Sequence, residues 1–155
     1  MQISSPAFPD GGVIPAKYTS DGNNFNPPLI FDQVPPETKS LALLVEDPDA
    51  PQGTFVHWAL WGMSPKTNQI PENCVPARAR ELPNDFGEPA YGGPKPPSGI
   101  HRYYFRLFAL DSLEPPPTKV ENFRRAIGDH VLEEASLMGR YEHGGSGDEE
   151  LLAAS

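Results

Sequence analysis

The stretch SLALLVEDPDAPQGTFVHWALWGM, Ser40 to Met63, carries two apolar runs separated by a turn, with acids and a histidine set among them. The first run, Ser40 to Val45, is apolar at successive rather than alternate positions, the pattern of a strand covered on both faces. The second, Phe55 to Met63, reads as the neighbouring antiparallel strand. Alternation places Phe55, His57, Ala59 and Trp61 on one side and Val56, Trp58 and Leu60 on the other. The same alternation makes Asp47 and Asp49 face one way across Pro48, whose ring fixes φ and biases Asp47 toward β or polyproline geometry. Ala50-Pro51 closes the unit with a bond of the kind that can be cis. The outcome is a stiff corner bearing two carboxylates between two core strands.

A chain of 155 residues suits one domain with a real core. Its 20 prolines and 14 glycines favour short strands and ordered loops over long helices. The net charge of -9 opposes binding to nucleic acid or to an anionic membrane, both of which need a basic footprint. A single cysteine, Cys74, rules out an intramolecular disulfide and the Cys clusters of structural zinc sites, which suits a reducing compartment. The opening MQISSPAFPD lacks a basic segment followed by an apolar run, and no segment approaches membrane-spanning length. These features predict a soluble, cytoplasmic protein without nucleic-acid partners or an integral membrane segment.

Outward from the central stretch, residues 1–36 are turn-rich, with short apolar pieces such as Leu29-Ile30-Phe31. From Pro65 to Gly99 periodicity is lost and Pro and Gly recur, and a loop of that length inside one domain points to function. His101 to Leu110 forms a third strong run in which His101, Tyr103, Phe105 and Leu107 share a face. Thr118 to Glu121 has a capping-box pattern, and Val120, Phe123, Ile127, Val131 and Met138 follow at helical spacing. The expectation is one helix ended by Gly139, or two short ones meeting near Gly128-Asp129. The end, GGSGDEELLAAS, reads as a flexible acidic tail over 144–155.

Four polar groups sit at strand ends or inside apolar runs: Asp47, Asp49, His57 and His101. Singly, each has a plain explanation, since buried histidines find hydrogen bonds and aspartates form turns beside proline. Together, from three separate segments, they indicate a shared site. Two His and two Asp are an acceptable ligand set for zinc or manganese, but they lack the spacing of metalloprotease helices. Paired carboxylates can run hydrolysis, although two Asp on one turn do not flank a bond from opposite sides. The third chemistry is non-covalent capture of a small polar ligand. A carboxylate beside an imidazole favours the imidazolium, which can donate to a phosphate oxygen. Backbone N–H groups of Gly92-Gly93 would add donors.

Two blocks carry a family resemblance. The first is Asp47-Pro48-Asp49-Ala50-Pro51 followed by His57-Trp58. The second runs from Tyr91-Gly92-Gly93-Pro94-Lys95-Pro96-Pro97-Ser98-Gly99-Ile100-His101-Arg102-Tyr103 into Ala109-Leu110-Asp111. The chain resembles the phosphatidylethanolamine-binding proteins, in particular the prokaryotic Raf kinase inhibitor-like branch, over almost its whole length. The resemblance implies a mainly β fold: a β-sandwich around a large central antiparallel sheet, with one or two short C-terminal helices, as a single domain over 1–143. It implies a shallow pocket for phosphate, phosphoethanolamine or phospholipid head groups, and binding without catalysis, cofactor or metal. Carried over by motif, the ligand-binding residues are Asp47, Asp49, His57, Gly93, Pro97 and His101, with Tyr103 equally readable as an aromatic packed in the sheet. Relatives are associated with inhibition of kinases or serine proteases, and the branch with weak homodimerisation. The alternative remains a metal-dependent hydrolase using the Asp/Asp/His/His cluster. This sequence departs from the branch at Lys95, where prokaryotic members often carry cysteine, and at Gly128-Asp129-His130, which replaces an adjacent Gly-His. No site role is assigned to His130.

Overall fold

The doubly apolar run lies at the centre because both of its faces find partners. In the computed structural model, which describes residues 1–142, the strands are β1 (Gln2–Ser4), β2 (Leu29–Asp32), β3 (Ser40–Asp47), β4 (Phe55–Met63), β5 (Gln69–Ile70), β6 (Arg80–Glu81), β7 (Ile100–Leu110) and β8 (Val131–Glu142). One helix, α1 (Phe123–Ile127), lies between single 3-10 turns at Val120–Asn122 and Gly128–His130. The expected tail at 144–155 and the expected last residue of the domain, 143, lie outside the described residues.

The strands form two antiparallel sheets, β1-β2-β5 and β6-β4-β3-β7-β8. Every position of β3 is buried. Leu41, Leu43 and Val45 join Phe105, Leu107 and Leu137 in a core closed by the small sheet through Ile3, Leu29, Phe31 and Ile70. Ala42 and Leu44 join Ala59, Trp61, Phe108 and Leu110 on the opposite face, beneath Phe123 and Ile127 of α1. The mainly β sandwich and the short C-terminal helix match the expectation. The loop-like stretch from Pro65 to Gly99 contributes the two-residue strands β5 and β6 and is otherwise irregular.

The helical reading of Val131 to Met138 is corrected. Those residues form β8, which pairs antiparallel with β7 from Ile100↔Glu142 to Leu110↔Val131. The apolar spacing that suggested a helix is a weak preference, and a full ladder of backbone hydrogen bonds along a preformed strand overrides it. The helix ends at Gly128, whose φ of 33° lies in the left-handed region. No side-chain cap forms at either Lys119 or Asn122, so the capping-box pattern is not used. Gly139 is not a terminator but a mid-strand position onto which Ile14 packs, so close that a Cβ there would lie 2.4 Å from Ile14.

Candidate functional site

At one end of the large sheet, β3, β4 and β7 each deliver a polar side chain to the same face. Asp47 is the last residue of β3 and His101 the second of β7. His57 arrives by a different device. Val45 pairs with Trp58 but Glu46 pairs with Val56, so His57 is an extra residue inserted in β4. Such a bulge breaks the two-residue alternation and re-aims the side chain next to it. Val56 therefore packs with Ala59 and Trp61 on the α1 side, while the His57 ring lies edge-on to Tyr103, 5.2 Å between centroids. The alternation that grouped His57 with Ala59 and Trp61 fails at this bulge.

Asp47, His57, His101 and Tyr103 line a cavity of about 170 Å³, closed by Phe55, Phe86, Pro96, Pro97, Ala50, Pro51 and Lys95. Asp47, His57 and His101 are buried, and Tyr103 is fully so, whereas Lys95, Pro97 and Pro51 are exposed and mark the mouth. A space of this size holds about five or six waters, or one phosphate group, and no acyl chain.

Each imidazole is pinned through its Nδ1. His101 Nδ1 donates to Asp47 Oδ2 at 2.6 Å. The other oxygen, Asp47 Oδ1, accepts the N–H of Asp49 at 2.7 Å. His57 Nδ1 donates to the carbonyl of Gly92 at 2.6 Å, and the N–H of Gly92 donates back to the His57 carbonyl at 2.9 Å. A carbonyl or carboxylate can only accept, so both rings carry a proton on Nδ1 and leave Nε2 for a guest. Burial lowers the pKa of His57 below its ordinary value, against smaller opposing effects of the Gly92 carbonyl and Asp47. The expected imidazolium bias is thus reversed at His57, because taking a charge out of water costs more than a hydrogen bond and a paired carboxylate return.

Asp49 and Gly93 lie off the cavity lining. The strand ends at Asp47 and the chain turns, so the two aspartates do not share a strand face. Asp49 faces Arg102 and accepts from its Nε at 2.9 Å, its Nη2 at 2.7 Å and its backbone N–H at 2.9 Å. That bidentate pairing holds its carboxyl down at about 2. The N–H of Gly93 donates to Asn24 Oδ1 at 2.8 Å, and that of Gly92 is taken by His57, so neither is free for an anion. Gly93 is needed for close approach of a different kind, since a Cβ there would lie 2.5 Å from the Tyr18 carbonyl. Among the described residues, no group of three or more His, Cys, Asp or Glu is placed to hold a metal ion. With Asp49 committed to Arg102, the four-residue ligand set does not converge.

Sequence reasoning passed over Phe55, Phe86 and Pro96. Phe86 comes from the aperiodic loop, which Asn84 folds by accepting the N–H groups of Phe86 and Glu88 and donating to the Ala90 carbonyl. Phe86 then meets His57 edge-on at 5.5 Å. An Asn-centred loop clamp leaves no periodic signal. His130 stands apart, paired with Asp111 at the surface. No helix among the described residues is long and apolar enough to cross a membrane.

The family model described as phosphatidylethanolamine-binding protein matches residues 4–142. A UPF0098 protein of Methanothermobacter thermautotrophicus is 47% identical over 154 residues, covering 93% of this chain and 100% of that one. Among solved structures, a phosphatidylethanolamine-binding protein homologue from Chlamydia trachomatis superposes with a TM-score of 0.86 at 40% identity, covering 91% of this chain and 96% of that one. YbcL of E. coli, described as a member of the mammalian PEBP family, superposes with a TM-score of 0.85 at 26% identity, covering 91% of this chain and 97% of that one.

Proposed function

Because the chain belongs to the phosphatidylethanolamine-binding protein family, we propose that it is a non-catalytic binding protein whose cavity takes phosphate, phosphoethanolamine or a phospholipid head group. The observation that carries this reading is the pair of imidazoles, 44 residues apart by number (101 minus 57), lining one cavity with both Nδ1 atoms tied down. Fixed rings present their Nε2 atoms without further loss of rotamer freedom, which is what preorganised recognition of a small polar group requires. The Asp47 carboxylate does not confront an anion directly, since both its oxygens are already engaged. A cytoplasmic setting and regulation of a kinase or serine protease belong to the same proposal, as the context in which such binding would act.

The test is a titration with inorganic phosphate or phosphoethanolamine followed by the ring resonances of His57 and His101. Both sets should move together with one saturation curve. Spectra unchanged at high ligand concentration would remove the binding role.

A further inference from the structure

A second cavity, of about 230 Å³, shares none of the lining residues of the imidazole cavity, although the same two segments build both. Trp58 follows His57 in β4, and Tyr91 precedes Gly92 in the loop. Its inner wall is aromatic. Buried Trp58 meets half-buried Tyr91 edge-on, with 5.5 Å between ring centroids and 85° between planes. Glu81 of β6 is half-buried in the lining, while Asn24, Asn73 and Val75 are exposed and mark the mouth.

This lining holds a negative charge and no counter-charge. Glu81 Oε2 accepts the indole N–H of Trp58 at 2.8 Å, whereas Oε1 takes no hydrogen bond and the carboxylate enters no ion pair among the described residues. The adjacent Arg80 does not supply one. Arg80 pairs with Trp61 and Glu81 with Leu60, so strand alternation sends the two side chains to opposite faces of the sheet. The amide of Asn26 is spent on the carbonyls of Pro27 and Pro71 and on the N–H of Cys74. That of Asn73 makes no hydrogen bond among the described residues, which leaves a second oxygen able to accept. A carboxylate with one oxygen open, set against indole and phenol rings, attracts a cation both by charge and through the ring quadrupoles. A neutral guest would leave the charge uncompensated, and an anion would meet it head on.

We infer that this cavity is a site for a small organic ammonium, with Glu81 as its counter-ion and Trp58 and Tyr91 as its aromatic wall. The N–H donors of a primary ammonium match Glu81 Oε1 and the Asn73 amide oxygen, and an alkyl stem finds apolar cover in the rings and Val75. The chain's net charge of -9 favours the approach of such a guest.

The two indole N–H resonances report on the site, since Trp58 donates to Glu81 while Trp61, in the core beneath α1, donates to the Glu114 carbonyl. Butylammonium should move the Trp58 resonance along a saturation curve, leave that of Trp61 in place, and bind at least about tenfold more tightly than 1-butanol, which has the same stem and no charge. Glu81→Gln keeps an acceptor for the indole and loses the charge, and it should weaken butylammonium about tenfold while changing 1-butanol less than about twofold. Equal affinities for amine and alcohol, a Glu81→Gln protein that binds butylammonium as the native chain does, or an unmoved Trp58 resonance would each overturn the site. Nα-acetyl-lysine amide separates the sources of the ammonium: binding on a par with butylammonium assigns the cavity to a lysine side chain of a partner, and exclusion of the larger probe assigns it to free amines.

Discussion

Glu46 and Asp47 are consecutive in β3 and almost equally buried, 5% and 3% exposed, yet they face opposite sides of one sheet and meet opposite fates. On the α1 side, Glu46 Oε1 accepts from Arg106 Nε at 2.8 Å and also pairs with Arg124. Arg106 is further held over the Tyr104 ring, 4.4 Å from its centroid. One carboxylate oxygen held between two guanidiniums is a charge balanced by charge on the scaffold, with no cavity beside it among the described residues. Asp47 instead meets a single imidazole whose second nitrogen has no hydrogen-bond partner among the described residues, at the edge of a cavity. The contrast teaches that burial of a charge says little by itself. What separates a strut from a site is whether the group that pairs with it has hydrogen-bonding capacity left over.

The largest effect should come from the closed side. Glu46→Ala leaves two arginines without their anion, one of them only 23% exposed in its side chain. Removing one partner of a buried pair is costly, and about 3 kcal/mol of unfolding free energy should be lost in urea denaturation. The phosphate-induced shifts of His57 and His101 should survive in the folded variant. A loss below about 1 kcal/mol, the range of an exposed pair, would mean the Glu46 cluster is no strut and would collapse the contrast.

The next test sharpens the difference on the cavity side. His57 has its pKa lowered from the ordinary 6.5, with burial as the main cause. Below 6.5 the unfolded chain binds the proton that the folded chain refuses, so stability is full above that pH and falls as pH drops through the window beneath it. The slope from this one group is at most about 1.4 kcal/mol per pH unit. Denaturation curves of the native chain and of His57→Gln should diverge there, with the variant flatter. Parallel curves would show that His57 titrates alike in both states. Bound phosphate should raise the His57 pKa and so reduce the slope.

The architecture was legible because it rests on local patterns that tertiary structure leaves intact. Leu41 to Val45 read as doubly covered, and both cores lie where that reading put them. The alternation of His101, Tyr103, Phe105 and Leu107 holds through β7 because that strand pairs without a shift with β3 from Tyr104 to Leu110 and with β8 from Ile100 to Ala109. Failures cluster where one residue breaks a period or where the partner is distant. The bulge at His57 shifts parity by one, and nothing in the residue types FVHW announces it. Val131 to Met138 looks helical until β7 is present to pair with it. Asp49 is drawn off the cavity by Arg102, a residue of the second motif block whose guanidinium competes for the same acid that the first block offers. Sequence names the residues near a site more readily than it apportions them between the site and its scaffold.

The smallest expected effect decides what Tyr103 contributes. Its ring lies between the two imidazoles, edge-on to His57 and stacked at 6.4 Å on His101, and the residue is fully buried. Its hydroxyl is sealed and makes no well-formed hydrogen bond, with the Lys95 backbone as a weak partner. Burial raises its pKa well above the ordinary phenol value, with the Asp47 carboxylate adding to the shift, so it stays protonated across the accessible pH range. A sealed hydroxyl with only a weak partner costs stability and is kept from a guest, which makes the ring, not the oxygen, the useful part. Tyr103→Phe keeps the ring, and it should raise unfolding free energy by about 1 kcal/mol while leaving phosphate affinity within about twofold. A variant that is less stable, or that binds phosphate tenfold more weakly, would show the hydroxyl acting on the guest. Tyr103 would then belong with His101 as part of the site and not with Glu46 as part of the frame.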